Sequence, residues 1–298
     1  MYINMKIALI GCGEVGRCYA QAWRGRGHEI YAVGELRDDA EMQATVGGYG
    51  AALHAAPGPW LADADIVVSA VYGHAALAVA SQALPHLRPD ALYADFTTAS
   101  AADMRAAAEI AAGRAIAFAD VAIMGAIALL GDRTPLLCAG TGAAAAAAFA
   151  SDSGAPARAI AGQAGDAVRL KLLRSIMTKG MESLTVECLV AAERMGLRDA
   201  LYEVLADIDR TPLTAFMDSF ARSHVLHAPR RLAEVGEARE QLIKAGLQPL
   251  VLDGVERLFA RTTRGIEAAR AANGGAPPEI PDTLPARLAW LTTLARQP

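Results

Sequence analysis

The sequence predicts an α/β first half, built on a parallel, doubly wound sheet, and an all-helical second half. Three observations carry this. Short apolar runs alternate with helical stretches as far as residue 150, turn-forming residues cluster over 151–165, and no convincing strand follows residue 166. Strands that are apolar throughout and separated by helices belong to a parallel sheet covered on both faces.

Residues 6–10 (KIALI) form the first strand and end at Gly11. Residues 15–26 read as a helix, and 29–33 (EIYAV) as the second strand. A third strand over 66–70 (IVVSA) is entered from Asp63 and Asp65. Two more follow at 91–96 (ALYADF) and 115–120 (AIAFAD), with helices at 75–84 and 100–112 between strands. Residues 136–139 add a later strand, and the alanine run 143–150 another helix. Ser151, Asp152, Ser153, Gly154 and Pro156, then Gly162 and Gly165, mark a junction. Beyond it, 166–195 reads as one helix about 45 Å long at 1.5 Å per residue. Gly180 inside it costs about 1 kcal/mol relative to alanine, which tertiary packing must offset. Further helices are expected at 200–208, 212–224, 230–244 and 250–270, with Pro212 suited to a helix start. Pro277, Pro278, Pro281 and Pro285 break the tail and leave a last helix around Trp290. The expected domains are 1–160 and 161–298.

The 298 residues are 53% hydrophobic and 20% charged, enough to bury a core and to exclude disorder as the main state. The net charge is −4, so no basic excess draws the chain to phosphate backbones, and no nucleic-acid partner is expected. Cys12, Cys18, Cys138 and Cys188 form no CxxC pair and no zinc spacing. That fits a reducing compartment and implies no metal. Residues 1–10 are too short an apolar run for a signal peptide, and no stretch of about 18–20 apolar residues offers a membrane span. A cytoplasmic protein without membrane contact is expected.

Gly11-Cys12-Gly13-Glu14-Val15-Gly16 is GxGxxG, placed after a strand and opening a helix. That context gives the motif meaning. The first glycine makes the turn, the second admits a pyrophosphate, and the third lets helix and strand pack closely. The helix start then offers free N–H groups to phosphates. The first domain is therefore read as a Rossmann-type dinucleotide-binding domain. Glu35, about 20 positions on, can accept both adenosine ribose hydroxyls and repel a 2′-phosphate. Arg37 argues for NADP, and the balance falls to NAD.

Nearly every basic residue is arginine; the lysines are Lys6, Lys171, Lys179 and Lys244. Lys171 lies just past the junction, where interdomain clefts hold small ligands, and shares a helix face with Ser175. Half-buried there, it would exchange a proton with an alcohol near neutral pH. Spacing alone fits a surface lysine better.

Four segments, GCGEVG, ADFTTAS, FADVAIMG and GQAGDAVRLKLLRS, occur in this order. In them the chain resembles the β-hydroxyacid dehydrogenases, which include 3-hydroxyisobutyrate and 6-phosphogluconate dehydrogenases. The resemblance covers essentially the whole chain, and the helical half is similar to a branch with a phosphogluconate-dehydrogenase-like C-terminal domain. It implies a nucleotide loop at Gly11, Cys12, Gly13, Glu14, Val15 and Gly16, with Ala70, Val71 and Thr97 also beside the cofactor. It implies a substrate motif at Asp95, Thr97 and Thr98, with Ala101 where proline is usual. The next motif falls on residues 120–126, where Met124 and Ala126 flank Gly125 and replace a serine and a glycine. Lys171 takes the place of the catalytic lysine, with Gly162 and Gly165 behind it, and Ser175 stands where asparagine is usual. Asp95 and Asp120 are read as holding loops rather than doing chemistry.

The implied reaction is hydride transfer between NAD or NADP and a small β-hydroxy acid or related polar alcohol. Lys171 would exchange the hydroxyl proton. The lysine argues against the imine-reductase relatives, but an imine or ketone reductase and a non-catalytic nucleotide-binding protein remain alternatives. His224 and His227, with Arg230 and Arg231, either line a cleft that attracts an acidic substrate or are cationic residues suited to a helix end. The resemblance also implies a homodimer through the helical domain.

Overall fold

The computed structural model describes residues 4–152 and 154–296. Ser153, one of the junction turn-formers, and residues 1–3 lie outside them. The chain divides into two compact units, Met1–Ile176 and Met177–Pro298.

The first unit begins β1 (Lys6–Ile10), α1 (Glu14–Gly25), β2 (Glu29–Gly34), α2 (Ala40–Tyr49), β3 (Ala52–His54) and β4 (Ile66–Ser69). It continues α3 (Ala76–Ala83), β5 (Leu92–Asp95), α4 (Ala101–Ala112), β6 (Ala117–Ile123) and α5 (Ile127–Leu130). It closes with β7 (Leu136–Ala139), α6 (Ala143–Asp152), β8 (Ala157–Ala159) and the start of α7 (Asp166–Met195). Among the described residues these strands make an eight-stranded sheet in the order β3-β2-β1-β4-β5-β6-β7-β8. The order reverses at β1/β4, the switch point where open α/β sheets bind ligands beyond their strand ends.

Period-two alternation sends successive side chains to opposite faces of this sheet. Ile7, Leu9, Val68, Ala94 and Val121 join the core under α1, α2 and α6, where Tyr19, Trp23, Met42 and Phe149 are buried. Ala8, Val67, Tyr93 and Phe118 join the core under α3, α4 and the start of α7, with Ala80, Met104 and Val168. The sheet is thus covered on both faces, as expected.

Some elements differ from the sequence expectation. β7 runs antiparallel to β6. The chain between them has only the short α5, and a short connection can join antiparallel strands but not parallel ones. Residues 34–65, read without elements, hold α2 and β3, and β8 lies inside the segment read as turns. β3 and β8 are three residues each, with too little alternation to register as strands.

Beyond α7 the second unit holds α8 (Arg198–Val204), α9 (Ala206–Asp209), α10 (Leu213–Lys244), α11 (Leu250–Ala272) and α12 (Leu284–Ala295). Where one helix was expected over 200–208 there are two, separated at Leu205. Where two were expected over 212–244 there is one, with Pro229 inside it. An internal proline costs about 3 kcal/mol or more. Here buried Val225 and Ala228 precede it, and His224–Thr262 and Arg239–Asp253 tie α10 to α11 on both sides of it. Packing on α11 outweighs the break.

Candidate active site

The glycine loop is built by steric necessity at two of its three glycines. Gly11 has φ +91°, and a Cβ there would stand 2.4 Å from the Ala70 carbonyl oxygen. A Cβ on Gly16 would stand 2.1 Å from the Gly11 oxygen. At Gly13 a Cβ would meet nothing within 4 Å, so space is open there. Gly13 also caps α1 without a side-chain bond, whereas Asp39 and Ser100 cap α2 and α4 through theirs. Among the described residues the first N–H groups of α1, in Glu14, Val15 and Gly16, therefore keep no side-chain acceptor. Open space over uncapped donors at a positive helix end fits a pyrophosphate.

Around this loop, the Cys12 N–H donates to Glu35 Oε2 at 2.9 Å, and the Arg37 N–H to Glu35 Oε1 at 3.2 Å. The Arg37 guanidinium stands 3.4 Å from Asp39 and 3.7 Å from Glu41. Cys12 is buried, and burial pushes its thiol up, away from reactivity. Ala70 and Val71 follow β4, and the Ala70 N–H donates to the Ile10 oxygen at 2.7 Å, beside Gly11.

A second cluster lies at the same end of the sheet. Asp95 Oδ1 accepts from the Thr97 N–H at 2.8 Å and shapes the loop after β5. Gly73 lets the β4 loop approach, since a Cβ there would stand 2.6 Å from the Thr98 oxygen. Gly165, at φ +95°, brings the start of α7 against the start of α4; its Cβ would stand 2.6 Å from the Ala101 oxygen. Less than two turns on, Lys171 Nζ donates to Thr98 Oγ1 at 2.5 Å. Lys171 is half-buried, and burial lowers its proton affinity while the negative charge of Asp120 opposes the fall. Ser175 follows on the same face, but its hydroxyl donates to the Lys171 carbonyl at 3.0 Å.

Met124 donates its N–H to the Pro135 oxygen at 2.8 Å, and its side chain packs on the patch formed by Ala122, Leu137, Ala139 and Ala167. Gly125 is exposed, with Thr134 Cγ2 3.1 Å from where a Cβ would be. The fold thus brings Lys171, Thr98 and Thr97 together at the strand ends and sets Met124 on the patch that includes Ala167, one turn before the lysine.

His224 and His227 belong to the second unit, on α10. His224 Nε2 lies 2.9 Å from Thr262 Oγ1, its ring meets Phe259 edge-on, and burial, then Arg231 and Arg261, lower its pKa. That is the setting of a histidine within a helix pair. His227 is exposed. Among the described residues no group of three or more His, Cys, Asp or Glu side chains is placed to hold a metal ion.

The sequence reading assigned Asp120 to loop-holding without finding its partner. Asp120 Oδ2 accepts from the Gly165 and Val168 N–H groups, at 2.9 and 3.2 Å, and so grips the first turn of α7. Gly73 was missed as well, because its tight neighbour, Thr98, is remote in sequence.

A doubly wound sheet with this loop at its switch point defines a nicotinamide-dinucleotide-binding protein. Residues 6–150 match the NAD binding domain of 6-phosphogluconate dehydrogenase, and residues 192–262 match a domain of unknown function, DUF1932. The chain thus joins a 6-phosphogluconate-dehydrogenase-type NAD-binding domain to a DUF1932 domain. Its sequence is 26% identical to a conserved protein of unknown function described as structurally similar to 3-hydroxyacid dehydrogenases. That likeness covers 91% of this chain and all of the other, with a TM-score of 0.61. An imine reductase from Myxococcus stipitatus, a V8 variant in complex with NAD+, aligns over 99% of this chain and all of its own at TM-score 0.74. An imine reductase from Aspergillus terreus, in complex with NADPH4 and dibenz[c,e]azepine, aligns over 88% of this chain and 95% of its own at TM-score 0.72. At 17% identity these two show the fold. Among the described residues no helix is long and apolar enough to cross a membrane.

Proposed function

We propose that the protein is an NAD(P)-dependent dehydrogenase or reductase that interconverts a small β-hydroxy acid, or a related polar alcohol, and its carbonyl. Lys171 acts as general acid and base. The observation that carries this is the half-buried Lys171 ammonium, 2.5 Å from Thr98 Oγ1, at the switch-point end of the sheet. A binding module has no use for a desolvated lysine there.

When bound, the nicotinamide supplies the hydride acceptor or donor. Gly11, Gly13 and Gly16, with the uncapped start of α1, hold the pyrophosphate; Glu35 takes the adenosine ribose; Ala70, Val71 and Thr97 complete the surroundings. Arg37 is engaged by Asp39 and Glu41 and is less free to pair with a 2′-phosphate, which favours NAD. Neutral Lys171 accepts the substrate's hydroxyl proton as the carbinol C–H leaves as hydride. In the reverse direction the ammonium returns that proton to the carbonyl oxygen. Thr98 orients the amine and binds the substrate's hydroxyl or acid group, while Thr97, whose hydroxyl is buried, shapes the loop through Asp95 and is not free to bind substrate with its side chain. Ser175, bonded to the Lys171 carbonyl, steadies the helix at that point.

An imine or ketone substrate is the second reading. Met124 packs on an apolar patch where a polar side chain would hold an acid group, and this favours a less polar substrate. The experiment is nicotinamide turnover by the purified protein across β-hydroxy acids, their carbonyls and imines, with NAD(H) and NADP(H). Turnover of a hydroxy acid with preference for NAD supports the first reading. Turnover confined to imines establishes the second.

We also propose a homodimer through the helical unit. Its buried hydrophobic residues include little beyond Ala191, Ala192, Val225, Ala228 and Leu294, while Met181, Leu184, Val186, Val190, Tyr202 and Phe220 are exposed. A second copy covers that surface.

A further inference from the structure

Beneath Lys171 lies a row of buried polar groups that the reaction does not use. Ser69, Asp95 and Asp120 are paired in register across β4, β5 and β6, so their side chains share one face of the sheet. Tyr93 lies two residues before Asp95, on that same face. All four are buried, as is Thr97. The Tyr93 hydroxyl lies beside that of Ser69 and the Thr97 hydroxyl beside the Asp95 carboxyl, and none of these groups reaches a strong partner outside the row. Two carboxylates in adjacent strands, both out of water, cannot both ionise cheaply.

Their environments decide which one does. Asp120 accepts two N–H groups from the first turn of α7, at its positive end. Asp95 accepts one, from Thr97, and burial pushes its carboxyl up to about 7. Burial raises Asp120 too, but its N–H donors oppose the rise, so below about pH 7 the proton sits on Asp95 and the charge on Asp120. Asp120 is also the carboxylate whose charge reaches Lys171.

We propose that Asp120 is the positioning residue of the Lys171 centre. Its carboxylate fixes the first turn of α7 and so places the lysine on Thr98, and its negative charge favours the ammonium form of Lys171. The inference rests on the reading of Lys171 as the proton-exchanging group, but it is tested on the free protein. The groups around the centre are Asp95 on β5, Asp120 on β6, Cys138 on β7, and Asp166 with its partner Arg169 on α7. Thr98, which touches the amine, is uncharged.

The chain has four lysines, which makes a direct measurement possible. Trace labelling with trinitrobenzenesulfonate, which reacts with neutral amines, is followed at each lysine against pH by peptide mass spectrometry. Lys6, Lys179 and Lys244 are internal references. In the wild type the Lys171 midpoint lies below the ordinary lysine value. In Asp120→Asn it falls by about one further pH unit, so labelling below the midpoint rises about tenfold, with the references unmoved. In Asp95→Asn it moves by a fraction of that shift, because Asp95 is bonded to the loop after β5 and Asp120 is the carboxylate whose charge reaches Lys171. An unmoved Lys171 midpoint in folded Asp120→Asn, or an equal shift in Asp95→Asn, overturns the proposal.

If Asp120→Asn does not fold, the infrared carboxylic-acid band decides. At about pH 6, where exposed carboxyls are ionised, the wild type should show one buried protonated carboxyl that Asp95→Asn removes. Its absence from the wild type, or its survival in that variant, overturns the assignment. None of these measurements needs a substrate, so they stand apart from the turnover experiment. A protein without turnover but with the labelling shift loses the functional reading and keeps the electrostatic one.

Discussion

At the scale of single residues, the account turns on proton affinities set by burial. Lys171 loses affinity through burial, with Asp120 opposing the loss. Oxidation needs the neutral amine, so its rate should rise with pH through a midpoint below the ordinary lysine range and then level off. Reduction needs the ammonium and should fall over the same interval; stopped-flow rates in both directions check this. Asp95 gives a stability prediction. Its folded value, about 7, lies above the ordinary 3.8, so between those values the folded chain holds a proton that the unfolded chain releases. Its contribution is full below about pH 4 and declines as pH rises through about 7. Denaturant unfolding at pH 5 and pH 8 should show a loss of a few kcal/mol from this group, largely removed in Asp95→Asn. The glycine loop was legible in the sequence, because its evidence is local, a motif in its strand–helix context; Lys171 was singled out through the family resemblance, since its spacing alone fits a surface lysine. The grip of Asp120 on α7 was not, because Gly165 lies 45 residues away and only the fold joins them. Spacing left His224 open between a cleft wall and a helix end; the structure beds it against Thr262 and Phe259 within the helical unit.

At the scale of elements, two glycines separate close approach from open space. Gly165→Ala forces a side chain into φ +95° and against the Ala101 oxygen. It should destabilise the protein by about 1–3 kcal/mol or more and disturb the Lys171–Thr98 contact; thermal unfolding and Lys171 labelling report the two effects. Gly180 lies inside α7 with nothing within 4 Å of a Cβ. Gly180→Ala should raise stability by about 0.5–1 kcal/mol in denaturant unfolding. A loss would mean that a partner chain packs closely there. β1, α1 and α7 were legible because long periodic or strongly apolar segments report themselves. β3 and β8 were not, since a strand of three residues carries no period. The continuity of α10 through Pro229 was hidden because a local break signal was outweighed by contacts with α11.

At the scale of the whole molecule, the two units bury their side chains very differently. The first carries the two large cores that flank the sheet. The second exposes apolar residues along α7 and α10. Sedimentation velocity should therefore find a dimer at micromolar concentration, and a monomer at every concentration tried would remove that proposal. The central claim, that a nicotinamide enzyme works through Lys171, is tested most directly by Lys171→Ala beside the wild type, with cofactor binding and turnover measured on the same preparations. The account predicts unchanged cofactor affinity and a fall in kcat of about 10²–10⁴-fold. Turnover that survives the substitution at the wild-type rate would contradict it.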